Sequence, residues 1–221
     1  MLHANIYNLL FDFDGTLADS ASLHAQAIVD VLTVERPDLL AAFSYEPLKG
    51  LTTAEAFRKV GIGEEPQLSR CVITKQQKYR RLVAEGHLLL LRGARSALDV
   101  ARANKRRQFL VTSGSAGSIS LALAKLGIAD FFEGIVTSDD VPRGKPAPDP
   151  YRFCIEQFGL TLAQSIAIED SPSGVCSARA AGLRVIGVNN PEIRTLVDCF
   201  FSDINLFAES LSEMCGEDIQ R

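Results

Sequence analysis

Asn8-Leu9-Leu10-Phe11-Asp12-Phe13-Asp14-Gly15-Thr16 is the stretch that decides the fold. An unbroken apolar run that ends abruptly in acids reads as a strand buried on both faces, as in a parallel sheet, with its C-terminal end at the sheet edge. Side chains alternate along an extended segment, so Asp12 and Asp14 point to the same side and share one pocket. Carboxylates that close both ionise only if a cation or a shared proton compensates, which suggests a metal site, an acid/base pair, or both; the alternative is an Asx-type turn that merely ends the strand. Gly15 permits the chain to turn sharply away.

Four more runs of the same kind follow. QFLV breaks into Thr112-Ser113-Gly114, GIV into Thr137-Ser138-Asp139-Asp140, IAI into Glu169-Asp170-Ser171, and VIGV into Asn189-Asn190. Between most of them lie helical patterns with credible ends: residues 94–106, 116–126 closed by Gly127, 149–158 closed by Gly159, and 172–181 opened by Ser171-Pro172 and closed by Gly182. Strands alternating with helices predict an α/β fold with a doubly wound parallel sheet, whose ligands bind beyond the carboxyl ends of the strands at the topological switch point. Residues 20–89 break the alternation with helical patterns such as LHAQAIVDVL, AEAFRKVG and KQQKYRRLVAEG. They read as an inserted helical subdomain, leaving 1–19 and 90–221 as the α/β core. The leucine run at 88–91, where the chain re-enters the core, reads as packing. The basic runs Arg80-Arg81 and Lys105-Arg106-Arg107 read as solvated helix faces. A strand-like piece over 197–201 and a helix near 206–214 close the chain.

A chain of 221 residues can bury roughly 70% of its unfolded surface, so stability needs neither disulfides nor a structural metal, and any metal is expected to be functional. The net charge of −4, from 27 acidic and 23 basic residues, offers no general attraction to nucleic acid or an anionic membrane. The 5 cysteines are odd in number and widely spaced, with no CxxC, which fits free thiols in a reducing cytoplasm. The N-terminus lacks a basic n-region, and Asp12 and Asp14 interrupt its apolar run, so neither a signal peptide nor a membrane anchor is expected.

Glu169 and Asp170 bring two more carboxylates to the edge that holds Asp12 and Asp14. Hard oxygen ligands without histidine or thiol point to magnesium, although Asp170 or Ser171 could also cap the next helix. Thr112-Ser113-Gly114 places a hydroxyl and backbone amides at the start of a helix, which suits a phosphate or is simply an N-cap. Lys145 lies in Arg143-Gly144-Lys145-Pro146-Ala147-Pro148-Asp149-Pro150, where three prolines restrict the backbone around a cation that can face acids or a phosphate, or only solvent.

Taken in order, DFDGT, the VTSG strand end, GKPAPDPY and IEDSPSG resemble the motif set of the haloacid dehalogenase superfamily over nearly the whole chain, and the inserted helical stretch over 20–89 resembles that superfamily's cap. The nearest branch is the one containing β-phosphoglucomutase and small sugar-phosphate and phosphoglycolate phosphatases. The resemblance implies that Asp12 is a nucleophile forming an aspartyl-phosphate, and that Asp14 protonates the leaving alcohol and then activates water. Magnesium would be held by the Asp12 side chain, the Asp14 carbonyl and Asp170, with Glu169 direct or through water. Thr112, the Ser113 and Gly114 amides and Lys145 would hold the phosphoryl group. True dehalogenases of the superfamily lack an acid at the Asp14 position, which favours phosphoryl transfer here.

In the cap, His24 matches a histidine that approaches the general acid in that branch. Lys49, within Pro47-Leu48-Lys49-Gly50-Leu51-Thr52-Thr53, and Lys75 with Tyr79 also have counterparts in the mutase, and His24, Lys49 and Lys75 are expected to contact substrate. Thr53, however, stands where the mutase has an arginine for a second phosphate, and a neutral hydroxyl does not replace a bidentate arginine. The expected activity is therefore magnesium-dependent hydrolysis of a small phosphomonoester, a sugar phosphate or phosphoglycolate. A phosphoglucomutase-type isomerase is the alternative, and a phospho-acceptor signalling module is disfavoured by the DFDGT spacing and the helical insert. Cap closure about residues 18–20 and 89–93 is expected to gate turnover.

Overall fold

The computed structural model describes residues 6–217. In chain order the strands and α-helices are β1 (Asn8–Phe11), β2 (Ala18–Asp19), α1 (Ala21–Glu35), α2 (Thr53–Lys59), α3 (Gln67–Ala84), β3 (Leu89–Leu90), α4 (Ala94–Ala103), β4 (Arg107–Val111), α5 (Ala116–Leu126), β5 (Gly134–Val136), α6 (Asp149–Gln157), β6 (Ser165–Glu169), α7 (Pro172–Ala180), β7 (Arg184–Val188), β8 (Cys199–Phe201) and α8 (Ile204–Glu217). All five apolar runs are strands. Gly127, Gly159 and Gly182 follow their helices with positive φ of 63°, 61° and 89°, the left-handed conformation that glycine adopts without cost.

The main sheet has the order β5-β4-β1-β6-β7-β8, and every neighbouring pair is parallel. The order reverses at β1, with β4 on one side and β6 on the other. The switch point therefore falls at the end of β1, where ligands bind in such sheets. Phe11 lies opposite Leu110 and Ile168, so the residues after these three strands converge on one spot.

Alternation along the strands divides the core. Leu9, Phe11, Leu110, Ile166, Ile168, Ile186 and Val188 pack on one face with Leu98 of α4, Ile119 and Leu123 of α5 and Phe207 of α8. Leu10, Phe109, Val111, Ala167 and Val185 pack on the other with Tyr151 and Cys154 of α6 and Val175 and Ala178 of α7. The inserted helices bury a separate cluster that includes Ile28, Val31, Leu32, Phe57, Leu68 and Cys71. Among the described residues no helix is long and apolar enough to cross a membrane.

Some local expectations change. The helix after Gly93 stops at Ala103, and Lys105 turns out of it at φ 55°. The basic run there is not a solvated helix face: Arg106 donates to the Ile6 carbonyl, and Arg107 opens β4 and pairs with Glu133 at 2.8 Å. Leu88 is buried, but Leu89 is 64% exposed. Leu89 pairs with Asp19 in the antiparallel β2–β3 ladder, and alternation turns it outward, so the leucine run is only partly packing. The last helix spans Ile204–Glu217 and not 206–214.

Phe109 is fully buried at the sheet centre. Phe109→Ala should cost about 3–5 kcal/mol and lower Tm by about 10 °C at this chain length. Thermal unfolding followed by circular dichroism checks this.

Candidate active site

Asp12 follows β1, and its amide donates to the Ile168 carbonyl of β6 at 2.9 Å. Its Oδ1 accepts from Lys145 Nζ at 2.6 Å. The same ammonium donates to Glu169 Oε1 at 2.6 Å and to the Val111 carbonyl at 2.9 Å, so all three of its protons are used. Lys145 is 1% exposed and Glu169 fully buried. Burial works against the ammonium, yet the Asp12 and Glu169 carboxylates hold its pKa above the ordinary lysine range. For Asp12, burial and the neighbouring acids outweigh Lys145 and raise its carboxyl to about 7.

Asp170 has no such cation. Its Oδ1 accepts from the Thr16 hydroxyl only at 3.4 Å. Burial, followed by the charges of Asp12 and Glu169, pushes its carboxyl well up. Carboxylate oxygens of Asp12, Glu169 and Asp170 lie within 4.8 Å of one another, all buried. One fully engaged ammonium cannot balance them, and an all-oxygen donor set is what a hard divalent cation takes. The residues present therefore fit magnesium. The crowding also explains Gly15, whose φ is 83° and where a Cβ would lie 2.1 Å from Asp170 Oδ2.

Asp14 meets the inserted helices. His24 Nε2 lies 3.0 Å from Asp14 Oδ1, and Lys75 Nζ lies 2.6 Å from His24 Nδ1. An ammonium has only protons to give, so Nδ1 accepts and the imidazole proton sits on Nε2, donating to Asp14. Burial and then Lys75 lower the His24 pKa against the pull of Asp14, which keeps the ring neutral at pH 7. Burial lowers Lys75 to about 8, with Asp14 opposing. Burial alone would raise Asp14, but His24 beside it holds it at about 2.

Thr112 Oγ1 accepts the Gly114 amide at 3.0 Å. The Ser113 hydroxyl donates to the Gly50 carbonyl of the inserted segment at 2.7 Å, tying that loop down over the sheet edge. Asp12, Asp14, His24, Lys75, Ser113 and Gly114 line one cavity of about 50 Å³, together with Tyr45, Thr53, Gln76 and Tyr79. Lys49 does not reach it. Its ammonium pairs with Glu46 at 2.7 Å, and it lines an adjoining cavity with Asp170, Asn189 and Asn190, the two cavities sharing Asp14, Tyr45 and Gly50.

Residues 9–188 match the family model of haloacid dehalogenase-like hydrolases. The chain is a haloacid dehalogenase-like hydrolase. It is 32% identical over 188 residues to protein CbbY of Rhodobacter capsulatus, covering 80% of this chain and 83% of that one. It is also 30% identical over 186 residues to the fructose-1-phosphate phosphatase YqaB of Escherichia coli, covering 81% and 95%. Its fold is shared with the crystal structure of β-phosphoglucomutase from Clostridium difficile, at TM-score 0.81 and 23% identity over 98% of this chain and 100% of that one.

Several residues of this hydrolase's site carried no role in the sequence reading. The Tyr151 hydroxyl donates to Glu169 Oε1 at 2.6 Å, completing the shell around Lys145. Asn189, at φ 64°, donates to the Gly15 carbonyl at 2.7 Å and accepts the Ile204 amide at 2.9 Å. Asn190 donates to the Asp170 carbonyl at 2.9 Å. These two amides clamp the acidic loops from the end of β7. The only sequence signal for them was their place at a strand end; Tyr151 stood at the end of the GKPAPDPY motif.

Asp12 has a folded pKa above its unfolded one, so the stability it contributes is full below pH ~4 and is lost as pH rises through about 7; burial and the neighbouring acids shift Asp170 in the same direction. Asp14 acts in the opposite sense, but only as pH falls from ~4 toward about 2. In chelator, Tm should therefore decline from about pH 5 to pH 8, and magnesium should raise Tm more at pH 8 than at pH 5. Scanning calorimetry checks it; a magnesium effect independent of pH contradicts it.

Proposed function

We propose that this hydrolase is a magnesium-dependent phosphatase of a small phosphorylated metabolite, a sugar phosphate or phosphoglycolate, acting through an aspartyl-phosphate on Asp12. The observation that carries the reading is the Asp12 carboxylate held by Lys145 through Oδ1, at the floor of a cavity whose wall carries Asp14. Fixing one oxygen leaves Oδ2 to attack phosphorus, and a positioned carboxylate of this kind is a workable nucleophile. Thr112, the amides of Ser113 and Gly114, and Lys145 would orient the phosphoryl oxygens.

The Asp12 side chain, the Asp14 carbonyl and Asp170 would hold magnesium, with Glu169 direct or through water. Bound there, the ion would neutralise charge on the phosphoryl oxygens. Asp14 would give its proton to the leaving alkoxide and then take one from the attacking water. It is ionised in the free protein, and the Lys75–His24–Asp14 chain supplies the proton: Lys75 gives one to Nδ1 as Nε2 gives one to Asp14. The mutase reading is weaker, because Thr53 lines the cavity where an arginine would be needed for a second phosphate. Unpaired thiols at Cys71, Cys154, Cys176 and Cys199 support work in the cytoplasm.

Phosphate release from a panel of small phosphomonoesters tests the proposal. Chelator and Asp12→Asn should each abolish release, and Asp14→Asn should lower kcat by about 10²–10⁴-fold. Metal-independent release, or full activity in Asp12→Asn, would overturn the reading. The relay requires protonated Lys75, so kcat should fall as pH rises through about 8, and Lys75→Met should remove that alkaline limb while lowering kcat throughout.

A further inference from the structure

Tyr79 stands one helical turn after Lys75 on α3 and is 2% exposed. Its ring lies flat against His24, with centroids 4.2 Å apart and planes 8° from parallel. Phenylalanine would stack and fill that space equally well. The Tyr79 hydroxyl, however, is buried with no hydrogen-bond partner among the described residues, in a side chain that lines the cavity over Asp12 and Asp14. A desolvated, unpaired hydroxyl destabilises a protein, so one retained at a cavity wall calls for an explanation.

The charges around it narrow the chemistry. Among the described residues no arginine lines the cavity, and its one ammonium, Lys75, is committed to His24 at 2.6 Å. Lys49 is paired with Glu46 and faces the neighbouring cavity. What remains for the part of a substrate beyond its phosphate carries no charge: the hydroxyls of Tyr45, Thr53 and Tyr79 and the Gln76 amide, set beside the apolar Ile28, Leu48, Leu51 and Ala56. Alcohol groups donate and accept and so match such a lining, whereas a carboxylate or second phosphate would be buried without a cation.

We infer that the cavity selects the phosphomonoester of a neutral polyhydroxy compound, and that the Tyr79 hydroxyl is a specificity residue donating a hydrogen bond to one of its oxygens. The inference rests on the phosphatase reading and chooses between the two substrate classes left open there. Loss of one such bond is worth about 10-fold.

The probes are glucitol 6-phosphate and 2-phosphoglycolate, with p-nitrophenyl phosphate as the reporter of hydrolysis. Wild type should favour glucitol 6-phosphate in kcat/KM. Tyr79→Phe should lose about 10-fold of that preference, mainly through KM, while its Tm rises by about 2–4 °C because an unpaired buried hydroxyl is gone. Preference for phosphoglycolate, an unchanged ratio in Tyr79→Phe, or a fall in its Tm would each overturn the inference. Calorimetric binding of both esters to Asp12→Asn reads the same preference without turnover. A wild type that hydrolyses none of the three compounds thus overturns the phosphatase reading, while the binding ratio still decides the role of Tyr79.

Discussion

The ammonium of Lys145 is the contact on which the rest of the site depends. It sits between Asp12 and Glu169 at 2.6 Å from each, with its third proton on the Val111 carbonyl. A carboxylate buried alone would take up a proton. Lys145 lowers that tendency in Asp12 and fixes one of its oxygens. The sheet makes the arrangement possible, since β1 lies between β4 and β6 and delivers Asp12, Val111 and Glu169 to one point. Glu169 is in turn held by Tyr151, and Gly174 makes room for it, because a Cβ there would fall 2.0 Å from the carboxylate.

One lysine cannot balance the three clustered carboxylates of Asp12, Glu169 and Asp170, and the imbalance divides the acids by environment. Asp12 and Asp170 are raised by burial and mutual repulsion, and with Glu169 they fit a divalent cation. Asp14 lies nearby but faces a different environment, with His24 and Lys75 on its far side. Two carboxylates separated by one residue are thereby pushed apart in pKa, the arrangement that assigns different roles to a pair of acids. His24 and Lys75 belong to α1 and α3, so the inserted helices set the environment of Asp14 as well as lining the cavity. The Ser113 hydroxyl on the Gly50 carbonyl is where the two parts of the chain meet directly, beyond the end of β4.

Much of this was legible in the sequence because it depends on local signals. Buried parallel strands read as short apolar runs, and the polar residues that end them mark the sheet edge. Asp12, Thr112, Glu169 and Asp170 were found in this way, and glycine at positive φ set the ends of three helices. What escaped depends on contacts distant in the chain. Tyr151 reaches Glu169, and Asn189 reaches Gly15, pairings fixed by sheet order and invisible to periodicity. The β2–β3 ladder is two residues long, too short to show alternation, so the exposure of Leu89 was missed. Lys49 sits in the expected loop, but its direction depends on a local bond to Glu46.

The central claim is that Asp12 carries the phosphoryl group between substrate and water. The most direct measurement is a rapid acid quench of wild-type protein turning over a phosphomonoester with magnesium, followed by borohydride reduction and peptide mass spectrometry. The account predicts reduction of an acyl phosphate at Asp12 alone, turning that residue into homoserine. Unmodified Asp12 during active turnover, or a phosphoryl group found on Asp14, would contradict it.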